Sequence, residues 1–189
     1  MRMRLREAPN DFEMMLLYPR PHVHTRWADH IIRVDETIRM AAELLPHGGT
    51  VADLSCGDAA IARSLEKTHG APLILGDYAP GYPIQGRIEE TALSIRPDEP
   101  VDLWVLSETL EHLDDPERVL SLIRERARSL MLSTPVDEGR DVGNAEHLWS
   151  WSADDVAEML ERTGWTVQLH KVLEHPAGGI YNFGLWGMT

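Results

Sequence analysis

The stretch TVADLSCGD at 50–58 does most to limit what this chain can fold into. A short apolar run passes through small residues into a helix-forming segment, DAAIARSLEKTHG, closed by Gly70. Strand, tight turn and helix make up a βα unit, and the pattern repeats. PLILGD at 72–77 and VDLWVLS at 101–107 read as further strands. Asp115-Pro116 opens a helix whose Val119, Leu120, Ile123 and Ala127 share one face. Proline suits the first helical position because the N–H it lacks would be unbonded there. SLMLST at 129–134 is the next strand, and Ser152 with Asp155 caps a helix that leaves at Gly164. Strands alternating with helices predict a mainly parallel sheet covered on both faces.

The ends differ from this middle. Residues 1–22 read as an irregular arm. The stretch Trp27–Leu45 reads as an amphipathic cap helix, with Ile31, Val34, Ile38, Ala41 and Leu45 on its apolar face. WTVQLHKVLEH and GIYNFGLWGMT, joined by Pro176-Ala177-Gly178-Gly179, predict an antiparallel hairpin. The expected architecture is α/β: a Rossmann-like, seven-stranded, mostly parallel sheet with a C-terminal antiparallel hairpin and an N-terminal helical cap. Residues 1–49 form the arm and cap, 50–189 the core, and the whole is one structural domain. In such sheets ligands sit beyond the carboxyl ends of the strands. That rule selects 53–58, 77–78, 107–112 and 133–136.

Composition narrows the function. With 18 Lys and Arg against 31 Asp and Glu the formal charge is −13, which argues against a broad phosphate-binding surface. The single cysteine, Cys56, excludes an internal disulfide framework. No apolar run reaches the roughly 18 residues of a spanning helix, and the charged start lacks the apolar segment of a signal peptide. These features together predict a cytoplasmic protein without a membrane or nucleic-acid partner. The turn at 55–57 lacks the G-x-G-x-x-G fingerprint and a Walker lysine, so dinucleotide or NTP binding loses support. Asp77 closes the next strand 24 residues after Asp53. An acid there accepts hydrogen bonds from a ribose diol, or else caps its own turn.

D-L-S-C-G-D-A, L-G-D-Y, S-E-T-L-E-H-L, L-S-T-P and E-H-L-W-S-W-S follow one another in an order and spacing that carry a resemblance. From Thr50 to Thr189 the chain is similar to a class I S-adenosylmethionine-dependent methyltransferase, of the small group with E-x-L-E-H after the strand at 101–107. The resemblance implies S-adenosylmethionine as cofactor. Ser55, Cys56 and Gly57 would run beneath its methionine part, with Asp53 near its amino end. Asp77 would take the ribose, Tyr78 the adenine face, and Ile88 and Glu89 the adenine loop. Ser107 and Glu108 would lie near the transferring methyl. Three departures stand out: Ser55 and Ala59 replace glycines, which fits if φ is negative there, and Arg87 replaces an acid of the adenine loop.

The expected reaction methylates an oxygen or nitrogen of a small molecule. His112, supported by Glu111 and Glu108, is the candidate group for chemistry, and the alternative is that Glu111-His112 only orders the following helix. Tyr18, His22, His24, Trp27 and His147 are candidate acceptor-pocket residues, with the loop 136–145 as a further wall. With no large insertion after 129–134, the pocket is expected to be shallow or completed by a second copy in a homodimer. Trp149 and Trp151 read as packing residues. Two further readings remain open. Glu108, Glu111, His112 and His147 resemble the Mg²⁺ or Mn²⁺ ligands of small-RNA 2′-O-methyltransferases, although the charge suits RNA badly and the main reading has no metal. The altered turn also leaves room for a non-catalytic cofactor-binding subunit.

Overall fold

The computed structural model describes residues 2–139 and 144–189. In chain order the elements are β1 (Met3–Arg4), α1 (Asp11–Leu17), α2 (Ala28–Leu44), β2 (Val51–Asp53), α3 (Ala60–His69), β3 (Leu73–Asp77), β4 (Ile84–Gln85) and α4 (Ile88–Thr91). They continue with β5 (Val101–Ser107), α5 (Pro116–Arg124), β6 (Ala127–Val136), β7 (Trp149–Ser150), α6 (Ala153–Arg162), β8 (Val167–Leu173) and β9 (Asn182–Met188).

The main sheet has seven strands in the order β4-β3-β2-β5-β6-β9-β8. β4 through β6 are parallel, and β9 inserts antiparallel between β6 and β8. The period of two along a strand explains the burial of both faces. Trp104 and Leu106 enter one core with α5 and α6, while Leu103 and Val105 enter the other with α2 and α3. Strand order reverses between β2 and β5, so the carboxyl ends of β2, β3, β5 and β6 converge on one edge.

Local chemistry sets several boundaries. Asp115 accepts the Arg118 N–H at 3.1 Å ahead of Pro116, and the Ser152–Asp155 box caps α6, both as the sequence predicts. The connection between β8 and β9 turns at 176–178, with His175 and Ala177 both at positive φ. The cap helix forms where predicted, but its buried face is rotated. It buries Arg33, Val34, Thr37, Met40 and Ala41, and leaves Ile31 exposed.

The arm is not irregular throughout. Asn10 and Glu13 form a capping box that starts α1, a helix with no buried residue. Met3 and Arg4 pair with Ser150 and Trp149. Trp149 stacks with Arg2, whose guanidinium lies 4.3 Å from its ring centroid, while Trp151 lies in the core. The two-residue β4 has no counterpart in the sequence pattern, because Pro80, Gly81, Pro83 and Gly86 conceal it.

Candidate active site

A cavity of about 690 Å³ opens at the carboxyl edge of the sheet, within the usual size of small-molecule sites. Gly57 lies in its floor at φ +52, and a Cβ there would meet His24 Nε2 at 2.6 Å and the His22 carbonyl at 2.7 Å. Only glycine therefore lets the arm close on the turn. Ser55 has negative φ as expected, but Ala59 does not: it sits left-handed at φ 58, immediately before α3. A methyl group in that conformation costs about 1–2 kcal/mol, which the surrounding packing must offset.

Asp77 ends β3 with both oxygens against this turn. It accepts the Gly57 N–H at 2.7 Å and the Ala79 N–H at 2.8 Å. Burial raises its carboxyl, and those backbone donors pull it back. A carboxylate has about four acceptor positions, so two backbone bonds leave room for a diol. The turn-capping and ligand-binding readings of Asp77 are thus compatible. Tyr78, Ile88 and Glu89 line the same end of the cavity. The Tyr78 hydroxyl donates to the Asp11 carbonyl at 3.3 Å. Arg87, in the position of the expected acid, binds the Asp11 carboxylate at 3.0 Å and the Pro9 carbonyl at 2.9 Å. Its role here is to tether the arm.

Beyond β5, Glu108 lies at φ 50 and accepts the Ser133 hydroxyl at 3.0 Å. Beneath it lies Arg33, entirely buried. It donates to Ser107 Oγ at 2.5 Å, which bonds Ser133 Oγ at 2.8 Å. Arg33 Nη2 also faces the Nδ1 atoms of His24 and His30 at 3.3 and 3.4 Å. A guanidinium only donates, so both Nδ1 atoms accept and both rings are neutral. Burial and the Arg33 charge together hold His24 near 3 and His30 near 4.

Glu111, 1% exposed, accepts from Thr134 Oγ1 at 2.9 Å through Oε2, while Oε1 has no hydrogen-bond partner among the described residues. Oε1 lies 3.6 Å from His112 Nε2, too far for a hydrogen bond. His112 Nδ1 is 3.0 Å from the Glu146 carbonyl, which can only accept, so Nδ1 carries the proton and Nε2 the lone pair. Burial raises the Glu111 carboxyl and lowers the His112 imidazole to about 4. His147 bonds Glu138 through Nδ1 at 2.5 Å. Burial disfavours the charged His147 ring, but the adjacent carboxylates outweigh it and raise the group.

Ligand atoms of Glu111, His112 and His147 come within 4.8 Å of one another. They fit a divalent cation poorly. His147 Nδ1 bonds Glu138 and its Nε2 lies 2.9 Å from the Asn144 amide nitrogen, so both ring nitrogens are engaged. Glu108, the fourth ligand of the metal reading, is directed to Ser133 and Arg33 instead.

Tyr18, His22, His24, Trp27, Ser55, Gly57, Asp77, Tyr78, Ile88, Glu89, Glu108, Glu111, His112 and His147 all line the cavity. Asp53, Cys56 and Ser107 do not. Asp53 and Cys56 lie beneath the turn, where burial raises Asp53 to about 8 and pushes the Cys56 thiol up as well. Ser107 belongs to the Arg33 network. Residues of the arm and Gly178–Tyr181 of the β8–β9 connection contribute to the lining of the pocket. Of the wall expected at 136–145, residues 140–143 lie outside the described residues.

Sequence reasoning missed Arg33, Asp29, Glu146 and Tyr181, and noticed His30 only as a member of the imidazole cluster of the arm and cap helix. Arg33 gave no signal, since an arginine in an amphipathic helix reads as solvent-facing. Among the described residues no helix is long and apolar enough to cross a membrane.

A family described as a methyltransferase domain matches residues 22–170. No curated protein matches the chain in sequence. Among solved structures it resembles 1,6-didemethyltoxoflavin-N1-methyltransferase of Burkholderia thailandensis, bound to its substrate and S-adenosylhomocysteine. There the TM-score is 0.64 and the identity 15%, over 97% of this chain and 91% of that one. The N-methyltransferase NodS of Bradyrhizobium japonicum, bound to S-adenosylhomocysteine, aligns with TM-score 0.65 and 14% identity, over 87% and 88%. The [4+2]-cyclase SpnF aligns with TM-score 0.67 and 11% identity, over 91% and 86%.

Proposed function

The chain belongs to the family of methyltransferase domains, and we propose that it methylates an oxygen or nitrogen of a small molecule. S-adenosylmethionine is its cofactor. One observation carries the reading: the Asp77 carboxylate and the Glu111–His112 pair open into the same cavity. The residues present fit such a cofactor. Gly57 gives a floor without side chain, Asp77 keeps free acceptor positions, and Ile88 and Glu89 border the adenine end. The carboxylates facing the cavity complement a positive sulfonium. When bound, S-adenosylmethionine would supply an electrophilic methyl group and a sulfonium leaving group for transfer to the acceptor's lone pair.

The chain's residues then have three tasks. Tyr18, Trp27 and the arm exclude water and fix the acceptor's approach, because alignment is the main source of rate in a displacement of this kind. Glu108, held by Ser133 and Arg33, lines the cavity with a carboxyl group that would complement the sulfonium. His112 Nε2, unprotonated at neutral pH, and the unbonded Glu111 oxygen take the acceptor's proton. Calorimetry with S-adenosylmethionine and S-adenosylhomocysteine tests the reading. It predicts one site for each, and binding of neither would overturn it.

A further inference from the structure

Two hydrogen-bond acceptors face each other at the end of the cavity: Glu111 Oε1 and His112 Nε2, 3.6 Å apart, with no donor between them among the described residues. The Nδ1–H bond to the Glu146 carbonyl fixes the His112 tautomer, so Nε2 offers only a lone pair. A buried carboxylate oxygen without a donor is costly, and a ligand that satisfies it gains accordingly. A hydroxyl has one proton to donate and leaves one acceptor unmet. A nitrogen with two N–H groups satisfies both.

Charge selects in the same direction. Asp29, Glu108, Glu111 and Glu146 line the cavity, and among the described residues the one guanidinium lining it, Arg87, is tied to Asp11. No lysine lines it among the described residues. Arg33 serves Glu108, and His147, bonded to Glu138, offsets only part of the Glu111 charge, which burial still raises. A phosphate or carboxylate acceptor would meet like charge, which suppresses the wrong partner. The walls are aromatic. Tyr18 lies edge-on to His112 with ring centroids 6.4 Å apart, and Tyr181 lies 5.7 Å from His147.

We propose that the methyl acceptor is an organic amine, its nitrogen donating two N–H groups to Glu111 Oε1 and His112 Nε2 in the part of the cavity lined by Tyr18 and Tyr181. This rests on the methyl-transfer reading above. An amine arriving as ammonium gives one proton to the Glu111–His112 pair. Its freed lone pair then bonds the methyl carbon while the carbon–sulfur electrons stay on sulfur. The methylated ammonium departs, and the proton held by the pair passes to water.

The test uses the full chain saturated with S-adenosylhomocysteine and three probes of one shape: benzylamine, benzyl alcohol and benzoate. Calorimetry is expected to show benzylamine binding about tenfold or more tightly than benzyl alcohol, and benzoate not at all. Glu111→Gln places a donor against His112 Nε2 and is expected to weaken benzylamine about tenfold while S-adenosylhomocysteine still binds. If that variant does not fold, Glu146→Gln supplies the readout, with a smaller loss for benzylamine and none for benzyl alcohol. Benzylamine binding no tighter than its analogues, including a result in which no probe binds, overturns the amine proposal alone. Failure of S-adenosylhomocysteine to bind overturns the methyl-transfer reading and the amine proposal with it.

Discussion

Arg33 Nε lies 3.8 Å from Glu108 Oε1, and the two side chains are 0% and 10% exposed. A helix that looks peripheral in sequence thus places a cation under the site and compensates the carboxylate nearest its centre. Taking one partner from a buried pair leaves a charge that neither water nor protein solvates. Arg33→Leu is therefore expected to cost about 3–5 kcal/mol in urea unfolding, and adding Glu108→Gln to return part of it. Equal losses in the single and double variants would show that Arg33 acts through packing alone.

The sheet was legible because its strands are buried on both faces and its turns carry Gly, Pro and capping residues at the right offsets. The lining of the candidate cavity was legible where it follows strand ends, as at Asp77, Glu108, Glu111 and His112. Arg33 was not, because burial of a charge depends on partners 74 and 100 residues away. The short helix α1 was signalled by Asn10 and Glu13, three apart, but its lack of any buried side chain left no apolar period to notice. Asp53 and Cys56 are in the right turn with side chains on its far side, a distinction that spacing does not encode.

Asp77→Asn keeps one acceptor but sets an amide N–H₂ against the N–H of Gly57 or Ala79. With a charge-assisted interaction to the ribose also lost, affinity for S-adenosylhomocysteine is expected to fall about 10- to 100-fold by calorimetry. Unchanged affinity would mean that Asp77 only caps its turn.

Arg87→Ala cuts the tether to Asp11 and Pro9. Asp11 is 86% exposed, so the pair adds at most about 1 kcal/mol to stability and the melting temperature is expected to move little. Stopped-flow dissociation of S-adenosylhomocysteine should speed up several-fold as the arm loosens. An unaltered rate would separate the arm from cofactor retention.

Asp53 supplies a pH signature. Its folded value, near 8, lies above the ordinary value of about 3.9, so the folded protein holds a proton that the unfolded chain releases between them. That contribution is complete in acid and is lost as pH rises toward 8. The melting temperature of Asp53→Asn should therefore gain on the natural protein between pH 5 and 8, on the order of degrees. His24, His30 and His112 titrate alike in both proteins and cancel from the difference. A constant gap across that range would contradict the assignment.

The most direct measurement is a crystal structure of the complex with S-adenosylhomocysteine. The account predicts both ribose hydroxyls within hydrogen-bond distance of Asp77 and the sulfur turned toward Glu108, Glu111 and His112. A complex in which the ribose avoids Asp77, or in which the sulfur points away from those three residues, would contradict it.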